Sequence, residues 1–194
     1  MPNETPELSI VIPVFNEEGI LHTAIDGLLE GLWELGRPHE IILAENGSTD
    51  RTVAVAEQVI QKHPTVRLIS LGRPNYGAAL KRGLLEARGR YVICDEIDLC
   101  DVDFYRRALE LLDGDEADLV VGSKVMSGAE DQRPIFRHAA TLVVSGLLRV
   151  LVGFRGTDTH GLKALRRDRL RGTVERCIVD RDLFASELVI RAEH

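Results

Sequence analysis

Short runs of aliphatic and β-branched residues alternate with stretches of helical spacing through the first 120 residues, and no other feature narrows the fold as much. Leu8–Val14 (Leu-Ser-Ile-Val-Ile-Pro-Val) and residues 41–44, 66–71, 91–94 and 119–121 each read as buried strands. Residues 17–35 place Ile20, Leu21, Ala24, Leu28 and Leu32 on one side of a helix, and the spacing predicts further helices near 51–62, 78–88 and 103–113. Asp50 or Thr49 is expected to cap the second helix and Gly89 to end the third. Strands that alternate with helices lie parallel, because each crossover helix carries the chain back to the same edge of the sheet. The predicted fold is α/β, a doubly wound and mostly parallel sheet.

Beyond residue 121 the pattern loosens into a polar loop (123–133), an apolar helix (about 135–152) and a Gly-rich turn (153–161). A strand at 162–166 and a final helix with Leu183, Phe184, Leu188, Val189 and Ile190 complete the reading. That helix runs into Arg191-Ala192-Glu193-His194 without a stop signal. With no internal repeat or low-complexity linker, residues 1–194 are expected to form a single domain, and a domain shortened at its C-terminus is one reading of the abrupt end.

A hydrophobic content of 44% supports a buried core, and a formal charge of −7 excludes the broad basic surface that nucleic acid requires. Arg166, Arg167, Arg169 and Arg171 form a local basic run, expected to be a solvated loop or helix face. Cys94, Cys100 and Cys177 contain no CxxC pair, which argues against a disulfide framework or a zinc site and for a reducing, cytoplasmic compartment. The N-terminus lacks a basic segment followed by an apolar run, so no signal peptide is expected. The apolar stretch 139–154 is interrupted by Ser145, Gly146 and Arg149. It falls short of the roughly 20 apolar residues that span a bilayer. A core helix is the first reading and contact with a membrane surface the second, which makes the protein soluble or peripheral.

The strand at 91–94 runs straight into Asp95, Glu96, Asp98 and Asp101, four acids within seven positions. Carboxylates gathered at a strand end repel one another unless a cation or hydrogen-bond donors offset them. The C-terminal edge of such a sheet is also where α/β folds bind ligands. A solvated acidic turn and a divalent-metal site are both open from this segment alone. The same edge would carry Pro13-Val14-Phe15-Asn16-Glu17-Glu18 and Glu45-Asn46-Gly47-Ser48-Thr49-Asp50. Glu17, Asn46 and Ser48 offer acceptors and a donor suited to a base edge or ribose hydroxyls. Singly, Glu17 reads equally as a first-turn helix acid and Asn46-Gly47 as a turn. Their joint placement at adjacent strand ends favours a ligand site, with Glu96 and Asp98 as the pair nearest a metal and Asp95 and Asp101 as supporting or solvated acids.

Ser9-Ile-Val-Ile-Pro-Val-Phe-Asn-Glu-Glu18 followed by Glu45-Asn-Gly-Ser-Thr-Asp50 resembles the family 2 glycosyltransferases of the GT-A fold. Asn75-Tyr76-Gly77-Ala78-Ala79 and the strand leading to Glu96-Ile97-Asp98-Leu99 follow in the family's order and spacing. Val121-Gly122-Ser123-Lys124, Arg137 and Asp158-Thr159-His160-Gly161-Leu162-Lys163-Ala164 resemble the subgroup that makes polyprenyl- or dolichyl-phosphate sugars.

The resemblance implies a nucleotide-diphosphate sugar donor, Mg²⁺ or Mn²⁺, and a lipid-phosphate or glycan acceptor. It places Pro13, Phe15, Glu17, Ala44, Asn46 and Ser48 at the base and ribose, and Glu96, Ile97 and Asp98 at the DxD motif, with Glu96 and Asp98 as metal ligands. Lys124 stands at a family arginine position and, with Arg137, is expected to grip phosphate. The implied reaction is an inverting transfer. A hydroxyl acceptor would need a base, for which Asp158 and Glu187 are the candidates; Asp158 reads equally as a turn or cap residue, and for Glu187 an exposed helical acid is the first reading. His160 is expected to be structural. The chain departs from the family in having Glu45-Asn46 for paired aspartates, ExD for DxD and Cys100 for a glutamine. These departures motivate a second reading, a catalytically weakened nucleotide-sugar-binding protein acting through partners. A nucleotidyltransferase ranks third, because no Gly-rich basic loop follows the first strand. The cytoplasm is the expected location, with the cytoplasmic face of a membrane left open; no nucleic-acid partner is expected, and a homodimer is left open.

Overall fold

The computed structural model describes residues 5–122, 159, 161–181 and 183–194. Its sheet has six strands: β1 (Leu8–Val14), β2 (His39–Glu45), β3 (Val66–Ser70), β4 (Tyr91–Cys94), β5 (Leu119–Val121) and β6 (Lys163–Arg166). They stand in the order β3-β2-β1-β4-β6-β5. β1 pairs parallel with β2 and β4, and β2 with β3, as the alternating pattern requires. β6 runs antiparallel to both β4 and β5, with Cys94 opposite Lys163 and Val121 opposite the same lysine.

Alternate residues of each strand feed two cores, one per face. Ile10, Ile12, Ile41, Leu43 and Ile93 pack under α1 (Leu21–Leu35), α2 (Thr52–Lys62) and α4 (Val102–Asp113). Val11, Ile42, Ala44, Val92 and Cys94 pack under α3 (Tyr76–Glu86), α5 (Arg167–Arg176) and α6 (Phe184–Glu193). The helix α5 is an element the sequence pattern did not resolve. Its apolar face is only Leu170 and Val174, with Thr173 beside them.

The arginine run is in part a solvated helix face, with Arg169 and Arg171 exposed, but three of its members also reach backbone carbonyls. Arg166 donates to the Leu112 carbonyl at the end of α4 and pairs with Asp115 at 2.9 Å. Arg167 donates to the Arg88 carbonyl at 2.6 Å and Arg171 to the Leu85 carbonyl at 3.0 Å. Guanidinium groups satisfy carbonyls that the helix ends leave without intrahelical partners. At the opposite edge of the sheet from the strand C-termini, Arg37 joins Glu7 (3.0 Å) to Asp113, and the Tyr91 hydroxyl donates to Asp113 at 2.7 Å.

Candidate active site

The C-terminal ends of β1, β2 and β4 enclose a cleft of about 510 Å³, lined by Pro13, Val14, Phe15, Glu17, Asn46, Tyr76, Glu96, Ile97 and Asp98. That size falls in the range of small-molecule sites. Seven of the nine residues expected from sequence at the donor and metal site are therefore together here. Ala44 is fully buried in the α3-side core, and Ser48 serves the loops instead of the cleft. Tyr76 was missed, although Asn75-Tyr76-Gly77 stood out as a motif; an aromatic at the first position of a helix carries no signal of where its ring goes. Lys124, Arg137, Asp158, His160 and the apolar stretch 139–154 lie outside the described residues.

The loop after β1 is laced to the loop after β2. Asn16 takes a left-handed backbone (φ 58), an arrangement asparagine tolerates better than most residues. Its N–H donates to Ser48 Oγ at 3.1 Å, and its Oδ1 accepts from Thr49 N at 2.8 Å. Glu17 N–H donates to Thr52 Oγ1 at 2.7 Å, and Glu18 Oε2 accepts from Arg51 N at 2.9 Å. Glu17 thus sits a turn ahead of α1 and faces the cleft, which sets aside its reading as a helix acid. Asp50 accepts the Thr52 N–H at 2.9 Å from one position ahead of the Arg51 cap.

The loop after β2 is held by a buried acid and a glycine. Glu45 is 1% exposed; burial works to raise its pKa, but hydrogen bonds from Ser70 Oγ (2.6 Å) and from the Ser48 and Gly47 backbone outweigh it and hold it low. Gly47 has φ 75, and a Cβ there would lie 2.4 Å from the Arg73 backbone, so only glycine fits. Asn46, 8% exposed, accepts the Asn75 N–H on its Oδ1. A backbone N–H can only donate, so the amide orientation is fixed and Nδ2 is the group left for a ligand. Asn75 is itself a junction: its side chain caps α3 by accepting from Ala78 N at 3.0 Å and donates to Asp180 at 3.2 Å.

The loop after β4 divides the acidic cluster. Asp95 is 2% exposed and buried among donors, and Asp101 caps α4 by accepting from Phe104 N at 2.9 Å. Neither is a solvated acid. Glu96 and Asp98 line the cleft. Glu17 has its pKa raised, first by burial and then by the charges of Asp98 and Asp50, so the cleft acids already feel one another. Among the described residues no three acidic, cysteine or histidine side chains form a complete metal cage. Oxygen donors from two carboxylates nevertheless fit a hard cation that takes its other ligands from a diphosphate and water, as Mg²⁺ does. Cys100 adds no thiolate: burial, and then Asp95 and Asp98, push its thiol up to about 12.

Glu187 is not poised as a base. Its carboxylate accepts from the Ile178 and Val179 N–H groups at 2.9 and 2.7 Å and from Arg191 at 2.7 Å. Burial opposes these bonds, which together hold its pKa low. Among the described residues no helix is long and apolar enough to cross a membrane.

A ligand cleft at the switch point of a mostly parallel sheet is the class of site this arrangement defines. Residues 9–174 match the model of glycosyl transferase family 2, and the chain belongs to that family. A dolichyl-phosphate beta-glucosyltransferase of Drosophila melanogaster is 31% identical, over 97% of this chain and 63% of that protein. A low-salt glycan biosynthesis hexosyltransferase of Haloferax volcanii is 27% identical, over 96% of this chain and 44% of that protein. Among solved structures, Mycobacterium tuberculosis glucosyl-3-phosphoglycerate synthase in complex with UDP superposes with a TM-score of 0.61 at 25% identity, covering 85% of this chain and 58% of that one. The same synthase has been solved with Mn²⁺, UDP and glucosyl-3-phosphoglycerate. The fold is the GT-A fold. The chain spans between 44% and 63% of the length of these three relatives.

Proposed function

We propose that residues 1–194 form one GT-A domain that binds a nucleotide-diphosphate sugar together with Mg²⁺ or Mn²⁺ and transfers the sugar, with inversion, to a polyprenyl-phosphate-like acceptor at the cytoplasmic face of a membrane. The observation that carries this reading is the meeting of Phe15, Glu17 and Asn46 with Glu96 and Asp98 in one cleft. The lipid acceptor is supported by the dolichyl-phosphate relative.

In this reading Phe15 and Tyr76 supply aromatic faces for the base, Glu17 accepts from ribose, and Asn46 offers its amide Nδ2 to the base edge. Glu96 and Asp98 hold the cation, which when bound neutralises charge gathering on the departing diphosphate. Lys124 and Arg137 add positive charge there. An acceptor phosphate oxygen attacks the anomeric carbon from the face opposite the diphosphate. The carbon–oxygen bond to the diphosphate breaks, and its electron pair leaves on the diphosphate oxygen. A phosphate acceptor is already anionic and needs no base; Asp158 would take a proton only from a hydroxyl acceptor.

The test incubates the protein with Mn²⁺ or Mg²⁺ and a panel of nucleotide sugars, with and without polyprenyl phosphate, and follows nucleoside diphosphate and glycolipid. Glycolipid formed only with metal and lipid phosphate is the expected result. Donor binding with neither hydrolysis nor transfer would sink the enzyme reading and leave a binding protein.

A further inference from the structure

The buried acid Asp95 has no part in the chemistry above, yet it is the most heavily engaged carboxylate of the cleft loop. Its Oδ1 accepts from Glu96 N at 2.6 Å, and its Oδ2 accepts from Asp101 N at 3.2 Å and from the Tyr105 hydroxyl. One side chain thereby ties both ends of the loop 95–101 to each other and to α4. The anchor is rigid: Tyr105 is fully buried, and its ring meets Phe104 edge-on, with centroids 6.5 Å apart.

The side-chain carboxylates of Glu96 and Asp98, by contrast, accept no hydrogen bond from the described residues, although the Glu96 carbonyl accepts from Leu99 N and Cys100 N. Their directions depend on the backbone that carries them. Burying a carboxylate at a strand end is costly, and an apolar side chain of similar size would fill the space without desolvation. The carboxyl group kept there makes three hydrogen bonds that an apolar side chain could not, and all three act on the conformation of one loop.

We infer that Asp95 and Tyr105 form a positioning pair that sets the loop geometry with which Glu96 and Asp98 grip a divalent cation. The inference rests on the metal-dependent reading proposed above. Groups that orient metal ligands without touching the ion affect metal affinity by about 10–100-fold. The pair acts on the ligands and makes no contact with the reacting atoms.

The experiment measures Mn²⁺ binding, by electron paramagnetic resonance of the free ion, for the wild type, Tyr105→Phe and Leu109→Ala, in the presence of UDP. Tyr105→Phe deletes one hydroxyl. Leu109→Ala opens a cavity in the same helix and leaves the Asp95 bonds alone. Tyr105→Phe is expected to weaken Mn²⁺ binding about 10–100-fold. Its UDP affinity in EDTA should stay within about threefold, because the base contacts are elsewhere. Leu109→Ala should lower the melting temperature and keep Mn²⁺ affinity. Should Tyr105→Phe fail to fold, Asp95→Asn is read in its place, with the same expectation. Equal Mn²⁺ affinity in Tyr105→Phe and wild type, or equal losses in both helix variants, overturns the positioning role. A wild type that binds UDP but no Mn²⁺ overturns the metal reading and this inference with it.

Discussion

Replacing Asn46 by aspartate exchanges a donor for an acceptor at nearly constant shape, and the structure says what each atom would do. The Asn75 N–H still finds an oxygen, so the loop should keep its conformation. The atom turned to the ligand changes from an amide nitrogen to a carboxylate oxygen. For the base that wild type prefers, the variant loses a neutral hydrogen bond of about 0.5–1.5 kcal/mol and sets two acceptors against each other at a site 8% exposed, for about 1–3 kcal/mol more. At about 1.4 kcal/mol per decade, that is roughly 10- to 1,000-fold weaker binding. A base with an N–H at the same point would gain a charge-assisted bond. The added negative charge also repels the diphosphate, but that loss is common to all nucleotides and cancels in ratios. Isothermal titration of UDP, CDP, GDP and ADP at one salt and Mn²⁺ concentration reads the ranking directly. The rank order is expected to change, with at least about a tenfold shift in the ratio between two bases. If all four affinities move by a common factor, residue 46 does not read the base and the reasoning fails.

Two further outcomes follow from the loops and the far edge of the sheet. Gly47→Ala should destabilise by about 1–2 kcal/mol for the left-handed backbone, plus about 1–3 kcal/mol for overpacking against Arg73; a urea midpoint unchanged from wild type would show that the turn yields without strain. The Asp113 pKa is lowered, first by the Arg37 hydrogen bond, then by Tyr91 and by the Arg37 and Arg90 charges, against burial. Below its unfolded value, near 3.9, the unfolded chain binds the proton more readily. The stability Asp113 contributes is therefore complete above that value and is lost as pH falls through the lower folded one. Asp113→Asn should lose stability at neutral pH and flatten the acid limb of the melting temperature against pH; a limb of unchanged steepness would assign the acid sensitivity to other carboxylates.

The strands were legible because parallel strands covered on both faces are apolar almost throughout, as in Ile10–Ile12 and Tyr91–Cys94. Direction was not legible for β6: Lys163-Ala164-Leu165-Arg166 reads the same whichever way it pairs, and only the neighbouring β4 and β5 decide it. Helix ends failed where tertiary bonds outvote periodicity. α1 begins at Leu21, not at 17, and the four residues before it form the turn whose Glu17 N–H reaches Thr52 across the loop. α3 begins at Tyr76, not at 78, because Asn75 caps it. The cleft acids were visible as a cluster, but the burial that separates Asp95 from Asp98 is a three-dimensional fact. So is the Asp95–Tyr105 bond, whose members stand ten positions apart in different elements.

The junction at Asn75 also bears on how this site can evolve. The group that orients Asn46 belongs to the main chain, so no side-chain change at position 75 except proline removes it. Mutations at 75 are filtered by the helix cap and the Asp180 contact, while the choice between donor and acceptor facing the ligand is inherited through residue 46 alone. A lineage could drift at 75 without altering that choice, and a single nucleotide change at codon 46, from asparagine to aspartate, would reverse it in one step.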